Sequence, residues 1–101
     1  MRSIKYLLWW LIGGTKGGPS RGRLILALKE EPGNANQLAE RLAVDYKTVR
    51  HHLDVLQRNG LVSFAGEGGY GATYFISPSL EENYMMFEEI WSQIGKRNKD
   101  V

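Results

Sequence analysis

Three residues, Ala43, Val44 and Asp45, separate two short amphipathic patterns, "ANQLAERL" and "YKTVRHHLDVLQRN". Each pattern carries its own start signal. Asn34 has Gln37 three positions on, the spacing of a capping box, and Asp45 stands where a helix beginning at Tyr46 needs an acceptor. Gly60 suits the left-handed position just past the second pattern. Before the pair, "SRGRLILALKE" places Leu24, Ile25 and Leu28 on one helical face and is stopped by Pro32 and Gly33. After it, "LVSFA" (61–65) and "ATYFI" (72–76) are β-branched and aromatic runs on either side of "GEGGYG", which predicts a hairpin with a long tip. Pro78 and Ser79 open a last helix running to about Gly95, with Ser79 and Glu82 at capping-box spacing.

Two short helices on a three-residue turn, followed by a hairpin, make a winged helix-turn-helix. The expected fold is mainly α with one small β-hairpin. A chain of 101 residues is one domain by size. Within 1–101 we expect an N-terminal helical segment at 1–13, a helix-turn-helix and hairpin core at 20–77, and a C-terminal helix at 79–95.

On a helical wheel, Val49, His52, Leu53 and Leu56 share one side of the 46–59 helix, while Lys47, Arg50, His51, Asp54 and Arg58 share the other. Long donors near a helix N-terminus are what a major-groove reading helix presents. Arg and Lys donate to guanine O6 and N7, and the terminal amides favour phosphate. Lys47 and Arg50 are thus expected at base edges, with Tyr46, Thr48 and His51 reading bases or positioning the helix. Arg58, further along, is expected at phosphate or solvent. Lys16, Arg21 and Arg23, near the start of the preceding helix, are candidates to clamp phosphate. Residues 1–77 carry ten Lys and Arg against six Asp and Glu, whereas 78–101 carry three against five. The basic part is where an acidic partner, double-stranded DNA, would bind.

The stretch "NANQLAERLAVDYKTVRHHLDVLQRNGLV", with "GTKGGPSRGRLILAL" before it and "YGATYFIS" after it, resembles ArsR-type winged-helix transcription regulators, in particular small archaeal members without metal-binding cysteines. The likeness spans residues 12–77. It implies a homodimer on a partly palindromic operator, with Tyr46, Lys47, Thr48, Arg50 and His51 facing DNA. Three departures stand out. There is no cysteine, so metal sensing is not implied. The wing tip carries Glu67 and no Lys or Arg, which leaves Tyr70 and backbone amides to touch DNA. Ala43 occupies a turn position where glycine is frequent, which is tolerable if the turn needs no positive φ.

Other chemistry finds little support. "GGTKGG" lacks the G-x-x-x-x-G-K-[ST] of a phosphate loop, because glycine follows Lys16. It reads as a flexible connector. His51 and His52 are adjacent and point about 100° apart, unlike ligands at i and i+4. No catalytic arrangement stands out, and neither an enzyme, a metal site nor a cofactor is expected.

"YLLWWLIGG" (6–14) is the remaining puzzle. From Ile4 to Ile12 a helix rises about 14 Å, against a hydrocarbon core of about 30 Å. It also lacks a signal-peptide cleavage pattern. A cytoplasmic protein with no membrane partner is expected. As a helix, residues 2–12 place Ile4, Leu7, Leu8 and Leu11 on one side and Tyr6, Trp9 and Trp10 on the other. The last helix repeats Leu80, Tyr84, Phe87, Trp91 and Ile94 at 4-3-4-3 spacing, widened by Met86 and Ile90. So much apolar surface exceeds what one small domain needs. The expectation is a two-fold dimer interface of Tyr6, Trp9, Trp10, Tyr84, Phe87, Trp91 and Ile94. The competing reading is that both helices complete a monomer's core. For function, a homodimeric sequence-specific DNA-binding regulator is expected. The alternatives are a non-specific architectural DNA-binding protein and a winged-helix protein-interaction module. No residue pattern specifies an effector, an operator or a direction of regulation.

Overall fold

A computed structural model describes residues 3–67 and 71–99, the last four of these as backbone. Helix α1 (Ile4–Leu8) continues into a π-helical turn (Trp9–Gly13), followed by α2 (Gly18–Glu30), α3 (Ala35–Leu42), α4 (Tyr46–Arg58), β1 (Val62–Ala65), β2 (Thr73–Ile76), α5 (Pro78–Glu82) and α6 (Tyr84–Lys99). The expected order therefore holds, and the differences lie at boundaries and caps.

The caps explain the boundaries. Asn34 Oδ1 accepts from Gln37 N at 2.8 Å while Gln37 Oε1 accepts from Asn34 N at 2.9 Å, closing the capping box. Asp45 accepts from Thr48 N at 3.2 Å and starts α4. At the far end Gly60 takes φ 75°, with Gly60 N donating to Gln57 O and Leu61 N donating to Leu56 O. This paired closure satisfies carbonyls the helix would orphan.

The same closure ends α3, with Ala43 N on Glu40 O and Val44 N on Ala39 O. It forces Ala43 to φ 54°, ψ 45°. The turn does need a positive φ, contrary to the expectation, and an alanine bears it at a cost of about 1–2 kcal/mol.

The last helix is not continuous. Ser77, rather than Ser79, caps α5 by accepting from Leu80 N, and Asn83 breaks the chain before α6. Ser77 also donates to Gly60 O at 2.7 Å, which ties this corner to the end of α4.

Strands β1 and β2 pair antiparallel in the register Val62–Ile76, Ser63–Phe75, Phe64–Tyr74 and Ala65–Thr73. Gly33 adds a bridge to Tyr74, with hydrogen bonds of 3.2 and 2.8 Å, and joins the α2–α3 connection to the hairpin. Leu24, Ile25 and Leu28 of α2, Leu38 of α3, and Val49, Leu53 and Leu56 of α4 fill one core with Leu61, Val62, Tyr74 and Ile76.

Both terminal segments join this core. Leu8, Leu11 and Ile12 enter from the front, and Leu80, Phe87, Ile90 and Ile94 from the back. Helix α2 receives them on two glycines four residues apart. A Cβ on Gly18 would lie 1.9 Å from the Ile12 carbonyl oxygen, and one on Gly22 would lie 2.1 Å from the Trp91 ring. Part of the glycine-rich stretch read as a flexible connector is thus the first turn of α2, held small so that two neighbours can approach. No helix among the described residues is long and apolar enough to cross a membrane.

Candidate nucleic-acid interface

Helix α4 is laid against the core by Val49, His52, Leu53 and Leu56, all buried. That fixes which way the other side faces. Lys47, Thr48, His51 and Arg58 are exposed, and the first three cluster at the N-terminal end. The face therefore offers an ammonium, a hydroxyl and an imidazole in two turns of helix, with the positive end of the helix dipole behind them.

Arg50 and Tyr46 are placed differently. Both are half-buried, and Arg50 Nη1 donates to the Tyr46 hydroxyl at 3.3 Å. Arg50 Nε is buried with no hydrogen-bond partner. The Tyr46 hydrogen bond, then the nearby Tyr74 of β2, stabilise the guanidinium charge and raise its pKa above the usual value. Burial raises Tyr74 above the usual phenol value in turn. Arg50 is thus half-buried on α4 and close enough to Tyr74 of β2 to feel it electrostatically. The helical wheel placed it on the outer side, but could not show that Tyr46, one turn earlier on the same helix, would hold its guanidinium.

Of the three cations near the start of α2 expected at phosphate, Lys16 and Arg23 are exposed. Arg21 is not. It is only 6% exposed, and its guanidinium turns inward to Leu11 O, Thr15 and His52. The sequence alone made Arg21 look like its neighbours because all three lie near the start of α2. Tyr70 lies outside the described residues. Asp45, exposed at the start of α4, and Asp54, half-buried within it, are the acidic groups nearest in sequence to the α4 face, and Glu67, exposed, is nearest to the hairpin tip.

The aromatic residues divide as well. Tyr6 and Trp10 are more than half exposed (51% and 54%), and Trp9 is also exposed. Phe87 is completely buried and Ile94 nearly so, inside the chain's own core rather than on its outside. Tyr84 and Trp91 are half-buried and pack on Phe87, with ring centroids 5.4 and 6.0 Å away.

No three His, Cys, Asp or Glu side chains gather as a metal site among the described residues. A groove of about 700 Å³ between α2 and α3 is lined by Arg23, Leu26, Ala27, Glu30, Glu31, Arg41 and Leu42. It shares only Arg23 with the candidate set, and its Arg41 is engaged by the carbonyls of Glu31 and Pro32.

Residues 18–63, from the start of α2 into β1, match the helix-turn-helix domain family. No curated protein sequence matches the chain. Among solved structures, the PcaV transcriptional regulator from Streptomyces coelicolor is similar with a TM-score of 0.68 at 21% identity, over 94% of this chain and 70% of that one. A probable transcriptional regulator from Pseudomonas aeruginosa gives 0.61 at 23% identity, over 88% and 72%. The Zα domain of Carassius auratus PKZ, solved in complex with Z-DNA, gives 0.51 at 25% identity, over 57% and 94%. Element order, the paired hairpin and these likenesses agree: the fold is a winged helix-turn-helix.

Proposed function

We propose that the protein is a homodimeric DNA-binding transcription regulator that inserts the N-terminal half of α4 into the major groove. The observation that carries this reading is the two-sided character of α4. Four buried residues lock one side to the core, and Lys47, Thr48 and His51 are exposed together on the other. A rigid helix with donors at its N-terminal end has the chemistry for base edges. Lys47, Thr48 and His51 read bases. Arg50, braced by Tyr46, sits one layer deeper and meets the backbone or a base from the hairpin side. Lys16, Arg23 and Arg58 contribute phosphate contacts.

The dimer half of the proposal rests on Tyr6, Trp9 and Trp10. Three large aromatics exposed within five residues are unusual on a monomer, and such residues are enriched at interface cores. A two-fold pair through these segments would present two α4 helices to half-sites about 34 Å apart. The assignment to the ArsR type rests on resemblance in sequence alone.

Selection of bound duplexes from a random pool at moderate salt, with the oligomeric state followed by sedimentation, tests the reading. An enriched inverted repeat bound by a dimer is the expected result. Binding without enrichment would replace it with an architectural role. No binding even at low salt would point to a protein partner for the α4 face.

A further inference from the structure

Arg21 is a buried cation whose hydrogen-bond partners among the described residues include no carboxylate. Its Nε donates to the Leu11 carbonyl in the π-helical turn at 2.9 Å, Nη2 donates to the Thr15 hydroxyl, and Nη1 lies 3.3 Å from His52 Nδ1 on α4. Thr15 donates in turn to the same Leu11 carbonyl at 3.2 Å. One guanidinium therefore links three parts of the chain: the segment bearing Trp9 and Trp10, helix α2, and the helix bearing Lys47, Thr48 and His51. The site is tightly closed. A Cβ on Gly17 would lie 2.5 Å from Arg21 Nη1 and 2.9 Å from His52 Cε1.

An arginine retains its charge at any ordinary pH. A guanidinium has only donors, so Nδ1 of His52 must accept and the ring must be neutral, with its proton on Nε2. Protonation would remove that lone pair and set two positive charges 3.3 Å apart in a buried site. The charges acting on the His52 ring are Arg21 from α2 and His51 from its own helix, whose ring centroid is 5.3 Å away. The connector faces it with Gly17, which carries no charge. Burial first, then Arg21, then His51, hold the His52 pKa below the usual imidazole value.

We propose that Arg21 is a positioning residue that joins the aromatic N-terminal segment to the DNA-reading helix, and that His52 is its proton-sensitive end. Acidification releases the joint, freeing α4 from the segment proposed to set dimer geometry. The effect on DNA rests on the function proposed above, whereas the joint itself does not.

Two readouts on the full chain separate these. In a pH titration by NMR, the His52 ring is expected to titrate below 6.5, and the amides of Leu11 to Thr15 are expected to shift with the same midpoint. Replacing Arg21 with Met should raise the His52 midpoint and uncouple those amides, and Arg21→Lys should restore part of the coupling. In duplex binding, affinity is expected to fall tenfold or more as pH drops from 7.5 through the His52 midpoint found by NMR, and His52→Gln, which cannot titrate, should abolish the fall. Amides of 11–15 that ignore the His52 midpoint would overturn the joint, a result available in the unmutated chain even if a variant fails to fold. Equal pH profiles for the unmutated chain and His52→Gln would overturn its role in binding. Absence of duplex binding at every pH would defeat the proposed function and leave the NMR result to decide the joint.

Discussion

The two terminal segments meet the same face of α2 and treat their aromatic residues in opposite ways. At the C-terminus, α6 turns Phe87 inward, and Tyr84 and Trp91 pack against its ring. At the N-terminus, only Leu8, Leu11 and Ile12 turn inward, and Tyr6, Trp9 and Trp10 stay out. In sequence the two stretches look equally apolar. What separates them is where the aromatic residues stand relative to the aliphatic ones. In α6 they lie on the stripe that includes Ile90 and Ile94, so one side of the helix buries Phe87 and half-buries Tyr84 and Trp91. In the N-terminal segment they lie opposite the leucines, and no helix has two sides on one core.

That contrast can be broken most forcefully at Phe87. Phe87→Ala should cost about 3–5 kcal/mol by denaturant unfolding, because the ring has no exposed surface and its removal leaves a cavity. A cost below about 1 kcal/mol would mean that Phe87 is not core. Next in size is Gly22→Ala, whose new methyl meets the Trp91 ring and should cost about 1–3 kcal/mol by overpacking. Gly18→Ala tests the N-terminal side of the same face. Because its obstacle is the Ile12 carbonyl, a backbone atom, the segment must move, and near-ultraviolet dichroism of the tryptophans should change with it. Unchanged tryptophan signals would contradict the packing.

The turn offers a gain rather than a loss. Ala43→Gly removes the left-handed penalty but adds freedom to the unfolded chain, for a net stabilisation of about 1 kcal/mol. Trp10→Ala is the smallest of the set in protomer stability, within about 0.5 kcal/mol, since the ring is more than half exposed. The dimer proposal requires the same variant to weaken self-association in sedimentation.

Acid adds a general test of the Arg21–His52 contact. His52 has its folded pKa below its unfolded value of about 6.5, so its contribution to stability is intact above that pH and is lost as pH falls below it. Urea midpoints should drop between pH 7 and 5, less so in His52→Gln.

Much of this architecture was legible because it is local. Asn34, Gln37, Asp45 and Gly60 act on amides within four residues of themselves, and the sequence shows such neighbours directly. The stripe of Val49, His52, Leu53 and Leu56 follows from the helical period. What was not legible depends on partners far along the chain. Arg21 turns inward because Leu11 O and His52, ten positions before and thirty-one after, need a donor there. Gly18 and Gly22 resemble linker glycines until Ile12 and Trp91 lie against them. Ser77 outcompetes Ser79 as the cap because its hydroxyl also reaches Gly60 O across the molecule. At the candidate site, exposure of Lys47, His51 and Arg58 followed from the wheel, whereas the half-burial of Arg50 and Asp54 and the brace between Arg50 and Tyr46 did not.

The central claim is that the outer N-terminal face of α4 reads bases, and Lys47 tests it most directly. The affinity of Lys47→Ala should be compared with that of the unmutated protein on the selected duplex and on random duplex at one salt concentration. The account predicts a loss of about 1–3 kcal/mol on the selected site and much less on random DNA. Equal losses on both would make Lys47 a phosphate contact, and no loss on either would remove this face of α4 from the interface.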